Sequence, residues 1–153
     1  MAFADGFKQK VHQRFLQSAR DRVDAFTDII RELSADAQND AKSSAGDKHE
    51  TALSMMHLEQ EKLNSKLSEC LEQLRILGRI DPSNAHEIVH LGSLVRVNAM
   101  TVFIACALPK ISVDGIDVIG ISAEAPLAAA MMGMPAGGKF LFNGGDFVVK
   151  SVC

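Results

Sequence analysis

Hydrophobic positions in the first part of the chain recur every three or four residues, which is the period of one face of an α-helix. From about Asp5 to Ala41 no proline interrupts this pattern, and Gly6 is the only glycine. The pattern predicts a helix of about 35 residues, roughly 50 Å long at ~1.5 Å per residue. Its apolar stripe consists of Val11, Phe15, Ala19, Val23, Phe26, Ile30, Leu33 and Ala37.

A second apolar stripe follows from Asp47 to Leu77, with the alternating three and four spacing of a heptad seam. Gln60 is its one polar position. Between the two stripes, helix formers give way to Ser-Ser and a glycine, and the predicted turn is Ser44 to Gly46. Two matched stripes and a short linker predict an antiparallel coiled-coil hairpin. The second stripe consists of Leu53, Met56, Gln60, Leu63, Leu67, Cys70, Leu74 and Leu77.

Beyond Gly78 and Pro82 the hydrophobic period changes from about 3.6 to two, which is the period of a strand. Asp114-Gly115 and the four residues 143–146 lie between apolar runs and predict two hairpins. Residues 125–132 predict a short apolar helix with Pro126 in its first turn. The fold class is therefore α+β, a helical hairpin followed by a small antiparallel sheet with one short helix. The predicted strands are Leu91–Val97, Thr101–Leu108, Lys110–Val113, Ile116–Ile121, Lys139–Phe142 and Phe147–Val152.

Charge is distributed unevenly and supports two domains, residues 1–80 and 81–153. The first 80 residues contain 25 charged side chains and the remaining 73 contain only 10. A hydrophobic content of 47% excludes a disordered chain, and a net charge of -3 argues against a broad basic surface for nucleic acid. No apolar run is long enough to span a membrane or resembles a signal peptide. We therefore expect a cytoplasmic protein with no membrane partner and no sequence-specific DNA partner.

The three cysteines, Cys70, Cys106 and Cys153, are far apart in sequence and include no Cys-x-x-Cys pair. This spacing suggests neither a disulfide framework nor a cysteine zinc site. We expect them to be small buried hydrophobic residues in a reducing compartment.

The segment from His86 to His90 reads His-Glu-Ile-Val-His, a literal match to the zinc-protease pattern. That chemistry needs both histidines on one face of a stable helix and a third ligand elsewhere. Pro82 before the segment and Gly92 after it leave room for two helical turns at most. We therefore expect solvent-exposed linker histidines and no zinc.

Asp47 and Glu50 are three residues apart at the predicted start of the second helix, which makes them neighbours on one face. Two carboxylates at a hairpin tip could deliver charge or a metal ion into another molecule's cavity. The same spacing is also that of a capping box, in which both side chains bind backbone N–H groups at the helix start. The two interpretations are compatible, and the spacing does not decide between them.

In the order of its parts the chain resembles the GreA/GreB family of bacterial transcript cleavage factors. Its segment Gly46-Asp47-Lys48-His49-Glu50-Thr51-Ala52 is similar to the family's tip, Gly-Asp-Leu-(Lys/Arg)-Glu-Asn-Ala. Glu59-Gln60 matches a Glu-Gln of the family, and residues 91–95 resemble the family's opening strand. Residues 121–133, Ile-Ser-Ala-Glu-Ala-Pro-Leu-Ala followed by Met-Met-Gly, resemble its Ile-Ser-x-x-Ser-Pro block. The resemblance implies a coiled-coil hairpin followed by an FKBP-like domain.

The resemblance also implies a function. In such factors the hairpin enters the secondary channel of RNA polymerase, and the two tip acids help to hold a Mg²⁺ ion that stimulates cleavage of backtracked RNA. Asp47 and Glu50 would share this metal with the polymerase, no cofactor would bind the chain alone, and the RNA 3′ end would be only an indirect partner. The factor would not be an enzyme by itself. Polymerase-binding residues would be Gly46, Asp47, Glu50, Pro126 and Leu127.

The chain departs from the family near the tip. Ser54 stands where the family has tyrosine and Leu58 where it has arginine, while Thr51 and Ala125 replace an asparagine and a serine. These differences concern cleavage more than polymerase binding, so the alternative is a channel-binding regulator or inhibitor without cleavage activity. A peptidyl-prolyl isomerase is a further alternative, although the chain has no Trp or Tyr to line such a pocket.

Overall fold

The computed structural model describes residues 2–42 and 47–153, and within these ranges it describes side chains outside residues 37–50. Two long helices precede a six-stranded sheet and one short helix, as the sequence predicts. The helices are α1 (Phe7–Lys42), α2 (Asp47–Arg79) and α3 (Pro126–Met131). The strands are β1 (Leu94–Val97), β2 (Met100–Ala105), β3 (Leu108–Val113), β4 (Ile116–Ser122), β5 (Lys139–Phe142) and β6 (Gly145–Val152).

The chain forms two compact units, and each contains part of the long helices. One unit is Ser18–Leu74, and the other is Met1–Gln17 together with Arg75–Cys153. The first turns of α1 and the end of α2 thus belong to the unit that contains the sheet. The division into domains at residue 80 rests on composition and stays a prediction.

In the helical unit, α1 and α2 run antiparallel, since early residues of α1 contact late residues of α2. Arg22 Nη1 donates to Gln73 Oε1 at 3.0 Å, and farther along Gln60 Nε2 donates to Ser34 Oγ at 2.9 Å. Within this unit, the described stripe residues from Ala19 to Leu33 and from Leu53 to Leu74 form the seam between the helices. The buried members within this unit are Ala19, Leu63 and Cys70, and the half-buried apolar ones are Val23, Phe26, Ile30, Leu33, Leu53, Met56, Leu67 and Leu74.

The sheet has the strand order β3-β4-β2-β1-β6-β5. The prediction of a purely antiparallel sheet is wrong at one place, because β2 and β4 are parallel, with Thr101 opposite Val118 and Ala105 opposite Ser122. The physical reason is the path of the chain. Strand β3 does not pair with β2. Strand β4, which forms a hairpin with β3, lies between β3 and β2 in the sheet. Gly120 of β4 permits the close approach there, since a Cβ atom would lie 2.8 Å from the carbonyl oxygen of Cys106.

Both hairpins form where the turn residues predict them. Asp114 and Gly115 have φ of 52° and 79°, and Asn143 and Gly144 have φ of 51° and 78°. Positive φ at both central residues is the type I′ turn, whose twist matches the flanking strands. The second hairpin is tighter than predicted, because Phe142 pairs directly with Gly145 and β6 therefore begins two residues earlier.

The sheet is covered on both faces. On one face α3 packs through Ala128 and Met131 against a buried cluster. On the other face the Phe103 ring stacks on Phe15 of α1, with centroids 5.9 Å apart and planes 3° from parallel. His12 meets the same ring edge-on and bonds through Nε2 to the Leu77 carbonyl oxygen at 2.7 Å. The strand residues in the buried cluster are Val95, Val97, Val102, Ile104 and Val149.

Candidate functional site

The candidate site at the tip is only partly within the described residues. Helix α2 begins at Asp47, and Glu50 lies in its first turn, as the sequence predicts for the start of this helix. Gly46 lies outside the described residues, and so do the side chains of Asp47 and Glu50. The metal-binding and capping interpretations of the two acids both stay predictions.

Side chains are described again from Thr51 onward, and they show which face of α2 is exposed. Leu53 and Met56 are half-buried in the seam, whereas Ser54 is exposed. Leu58 is 62% exposed and Met55 is 66% exposed. Positions 54 and 58 are therefore both exposed on this face of α2.

The second candidate region is the start of α3. Ala125 precedes the helix and gives no side-chain cap, and Pro126 occupies the first helical turn. Pro126 is exposed, whereas Leu127 is half-buried and packs against the core cluster. Of the two residues predicted to contact a partner, Pro126 is thus accessible and Leu127 also has a structural role.

The zinc-protease pattern does not form a helix. Residues 86–90 are irregular, with Val89 buried and Ile88 in an isolated bridge to Pro135. The His86 and His90 rings stack with centroids 3.6 Å apart. Among the described residues, no group of three or more histidine, cysteine or acidic side chains is arranged to hold a metal ion. The zinc-protease interpretation therefore has no structural support in this segment.

The prediction of solvent-exposed linker histidines is right for His90 and wrong for His86. His86 is half-buried, and its Nδ1 bonds to the buried Ser93 Oγ at 2.7 Å. Burial, with repulsion from Lys8 and His90, lowers the pKa of His86 to about 4. The polar sequence around His86 gave no signal of this contact, because residues 86–90 are irregular and follow no hydrophobic period.

The described cysteines are free of disulfides. Cys70 and Cys106 are buried, as predicted, and Cys153 is half-buried. In the described part of the chain, the helices include none that is both long and apolar enough to cross a bilayer.

Of three comparisons with known proteins, the one with solved structures gives matches. A scan against family models gives no match. A search of curated proteins also gives none. Among solved structures the chain is similar to the transcription factor Gfh1, with 18% identity and a TM-score of 0.33 over 99% of this chain and 96% of that one. It is also similar to the GreA factor homolog 1 protein of Thermus thermophilus, with 17% identity and a TM-score of 0.33 over 100% and 98%.

Proposed function

We propose that this chain is a Gre-like transcription elongation factor. It binds RNA polymerase, inserts its helical hairpin into the secondary channel and stimulates cleavage of backtracked RNA by the polymerase. One observation carries the proposal. Helix α1 ends at Lys42 and its antiparallel partner α2 begins at Asp47, so the chain's family-like acidic segment lies at the end of the helix pair.

The chemistry of the segment fits a role that is completed by a partner. Carboxylate oxygens are the ligands that Mg²⁺ prefers, but the ion usually also needs oxygens from a substrate or another protein group. Asp47 and Glu50 would supply two such oxygens, and the polymerase would supply the rest. When bound, the metal would stabilise the charge that develops during phosphodiester hydrolysis. The chain would then act as a cofactor protein and not as an enzyme.

A second candidate function is occupation of the channel without cleavage, which would inhibit or retune the polymerase. Specific observations favour it. Leu58 is 62% exposed and replaces a family arginine, and the exposed Ser54 replaces a tyrosine. An exposed leucine cannot pair with a phosphate as arginine does, so this face lacks a charge that the family's cleavage factors carry.

The two functions separate in a transcript-cleavage assay on a stalled, backtracked elongation complex, run beside a polymerase-binding assay. Asp47→Asn is the first variant, since asparagine caps a helix about as well as aspartate but lacks its charge. Glu50→Gln is its counterpart, because glutamine also closes a capping box. We expect both variants to bind polymerase and stay within about 1 kcal/mol of wild-type stability, yet to lose cleavage stimulation.

Three other outcomes change the conclusion. If both variants stimulate transcript cleavage as well as the wild type, Asp47 and Glu50 act only as helix caps. A wild-type protein that binds polymerase without stimulating cleavage would select the second candidate, and Ser54→Tyr with Leu58→Arg then tests whether the family's residues restore activity. No polymerase binding by the wild type would contradict both candidates.

The sheet unit offers a separate test of partner contact. Pro126→Ser alters an exposed side chain, so a weaker affinity for polymerase without a change in stability would support a contact at the start of α3. Leu127 is unsuitable for this purpose because it packs against the core. Exposed Leu141, on β5, provides the control substitution Leu141→Ser, which we expect to leave binding unchanged.

A further inference from the structure

The six-stranded sheet has two edge strands, β3 and β5, and β3 is partly closed by side chains of α1. Arg14 Nη1 donates to the Ser112 carbonyl oxygen, an outward group of β3, at 3.3 Å. Beside it, Lys10 pairs with Asp114 of the hairpin turn at 2.9 Å. Pro109 within β3 has no N–H group to offer a further strand. An edge that is blunted in this way does not readily pair with another chain.

At β5 the outward backbone groups belong to Lys139 and Leu141. The N–H and C=O groups of Val148, opposite Lys139, both bond to Asn98, so those of Lys139 point away from β6. Leu141 lies two residues farther along the strand and is oriented in the same way. Within the described ranges, no residue bonds the outward N–H and C=O groups of Lys139 and Leu141. This edge of the sheet is therefore open.

The side chains at the open edge are apolar or of opposite charge. Leu141 is 75% exposed, more than any other large hydrophobic residue that the structure describes. Lys139 and Asp146 are exposed on the same face of the hairpin as Leu141, and neither forms an ion pair in the described part of the chain. On the opposite face the Phe140 ring stacks on Phe147, with centroids 5.5 Å apart.

We propose that β5 pairs antiparallel with β5 of a second copy of this chain, about a twofold axis at Phe140. In this register Lys139 of each copy lies opposite Leu141 of the other, and the outward N–H and C=O groups of both residues bond across the interface. An axis at Leu141 would instead place Lys139 opposite Asn143, whose φ of 51° is not that of a strand. An axis at Lys139 would place two like charges opposite each other.

The charges and rings of the edge complement those of a second copy. The stem of Lys139 covers Leu141 of the second copy, and its ammonium points toward that copy's Asp146, which lies beside Leu141 on β6. The twofold axis repeats this contact, so opposite charges meet twice. On the other face two Phe140 rings lie side by side and continue the stack with Phe147. A strand of four residues makes a small interface, so the dimer is weak and dissociates on dilution.

Sedimentation equilibrium of the full-length protein up to roughly 1 mM measures this association. Leu141→Lys should weaken it roughly tenfold or more, because two like charges then lie opposite each other at both ends of the interface. Leu141→Lys combined with Lys139→Glu should restore the dimer, since each pair again has opposite charges. Leu58→Lys is the matched control. It adds the same charge at another exposed leucine, 62% exposed on α2, and should leave the association unchanged.

The backbone pairing has a separate test. Leu141→Pro removes an outward N–H group but no bond between β5 and β6, so it should also weaken the dimer. Ser112→Pro removes the corresponding N–H group of β3 and should have no effect on association. In the wild type, amide hydrogen exchange at Lys139 and Leu141 should slow as the protein concentration rises.

Two results support the proposal together, a wild-type dimer that Leu141→Lys weakens and its recovery in the double variant. A wild type that stays monomeric up to the highest concentration would overturn it. A dimer that a folded Leu141→Lys variant retains at full strength would also overturn it, because its interface would lie elsewhere. If RNA polymerase protects the β5 amides of a monomeric chain, the edge binds another protein and not a second copy. The proposal does not depend on the acidic tip, so Asp47→Asn should dimerise as the wild type does.

Discussion

The sheet unit and the helical unit bury their apolar residues to very different extents. Phe15 and Phe103 stack in the sheet unit and are both 0% exposed, as are Val95 and Met131 on the opposite face of the sheet. In the helical unit most seam residues are only half-buried, and Leu63 at 7% exposed is among its better-buried side chains. A sheet covered on two faces encloses its side chains, whereas two helices can cover only one stripe of each other.

Because of this difference in burial, we expect substitutions in the two units to change the free energy of unfolding by different amounts. A seam between two helices offers few contacts per residue, so each substitution there has a limited and local effect. A sheet core is dense, and a cavity in it is difficult to refill. We therefore expect the sheet unit to determine global stability, and the helical unit to tolerate changes such as Ser54 and Leu58 on its exposed face.

The largest effect should come from Phe103→Ala. The substitution removes the ring that stacks on Phe15 and meets His12, at a fully buried position, so we expect a loss of about 4 kcal/mol in the free energy of unfolding. Urea unfolding followed by circular dichroism measures it, since the chain has no Trp or Tyr for fluorescence. Leu141→Ala, at a side chain 75% exposed, should change stability by less than about 0.5 kcal/mol. Equal effects of the two would contradict a core centred on Phe103.

A smaller effect is expected from Leu63→Ala in the seam. Because the neighbouring helix can partly close the gap, we expect a loss of about 2 kcal/mol. Amide hydrogen exchange should place this loss within Ser18–Leu74 and leave the strands unchanged. Leu58→Ala, on the exposed face of the same helix, is the control and should cost less than about 0.5 kcal/mol. A uniform loss of protection across both units would show that they unfold together, which would contradict the expected difference in their stability.

The sequence predicted the structural features that depend on residues close together in the chain, namely the long helices and the hairpins. Periods of three and four residues identified both long helices and their seam, including the polar position at Gln60. Asp-Gly and Asn-Gly dipeptides located both hairpins, because their positive φ values are a local requirement of the turn. The turn that local composition predicts between the two helices lies outside the described residues and stays a prediction.

The sequence could not predict which partner each apolar position would meet. Phe15 and Phe26 occupy equivalent positions in one stripe, yet Phe15 packs on β2 and not in the helical seam. The parallel pairing of β2 with β4 also depends on distant residues, since β3 lies between them in sequence. The contact of His86 with Ser93 spans only seven residues, but it lies in an irregular segment that has no periodic pattern to predict it. The likeness of the sheet unit to FKBP domains stays a prediction.

The pH dependence of stability should reveal the contact of His86. Its pKa is about 4 in the folded chain against 6.5 in the unfolded one, so below pH 6.5 the unfolded state binds a proton that the folded state does not. Stability contributed by the neutral ring is present above pH 6.5 and is lost as the pH falls to about 4. The full pKa shift corresponds to about 3 kcal/mol in the free energy of unfolding. Solvent screening at a half-buried ring reduces it to about 1 kcal/mol.

The measurement is the free energy of unfolding at pH 7 and pH 5 for wild type and His86→Gln. Glutamine can still bond to Ser93 but does not titrate in this range. We expect the wild type to lose about 1 kcal/mol more than the variant over this interval. Identical pH profiles would mean that the His86 ring is more accessible to water than its contact with Ser93 indicates.

The smallest effect, and the one of opposite sign, is expected at Gln60. A polar residue in a coiled-coil seam fixes the register of the helices at a cost in stability. Gln60→Leu removes the bond to Ser34, whose hydroxyl can bond instead to the backbone carbonyl four residues earlier. We therefore expect a gain of about 0.5 kcal/mol in the opening free energy of the helical unit, measured by hydrogen exchange. Gln60→Leu combined with Ser34→Ala should gain slightly more. A loss above about 1 kcal/mol would show that the bond stabilises the seam and does more than fix its register.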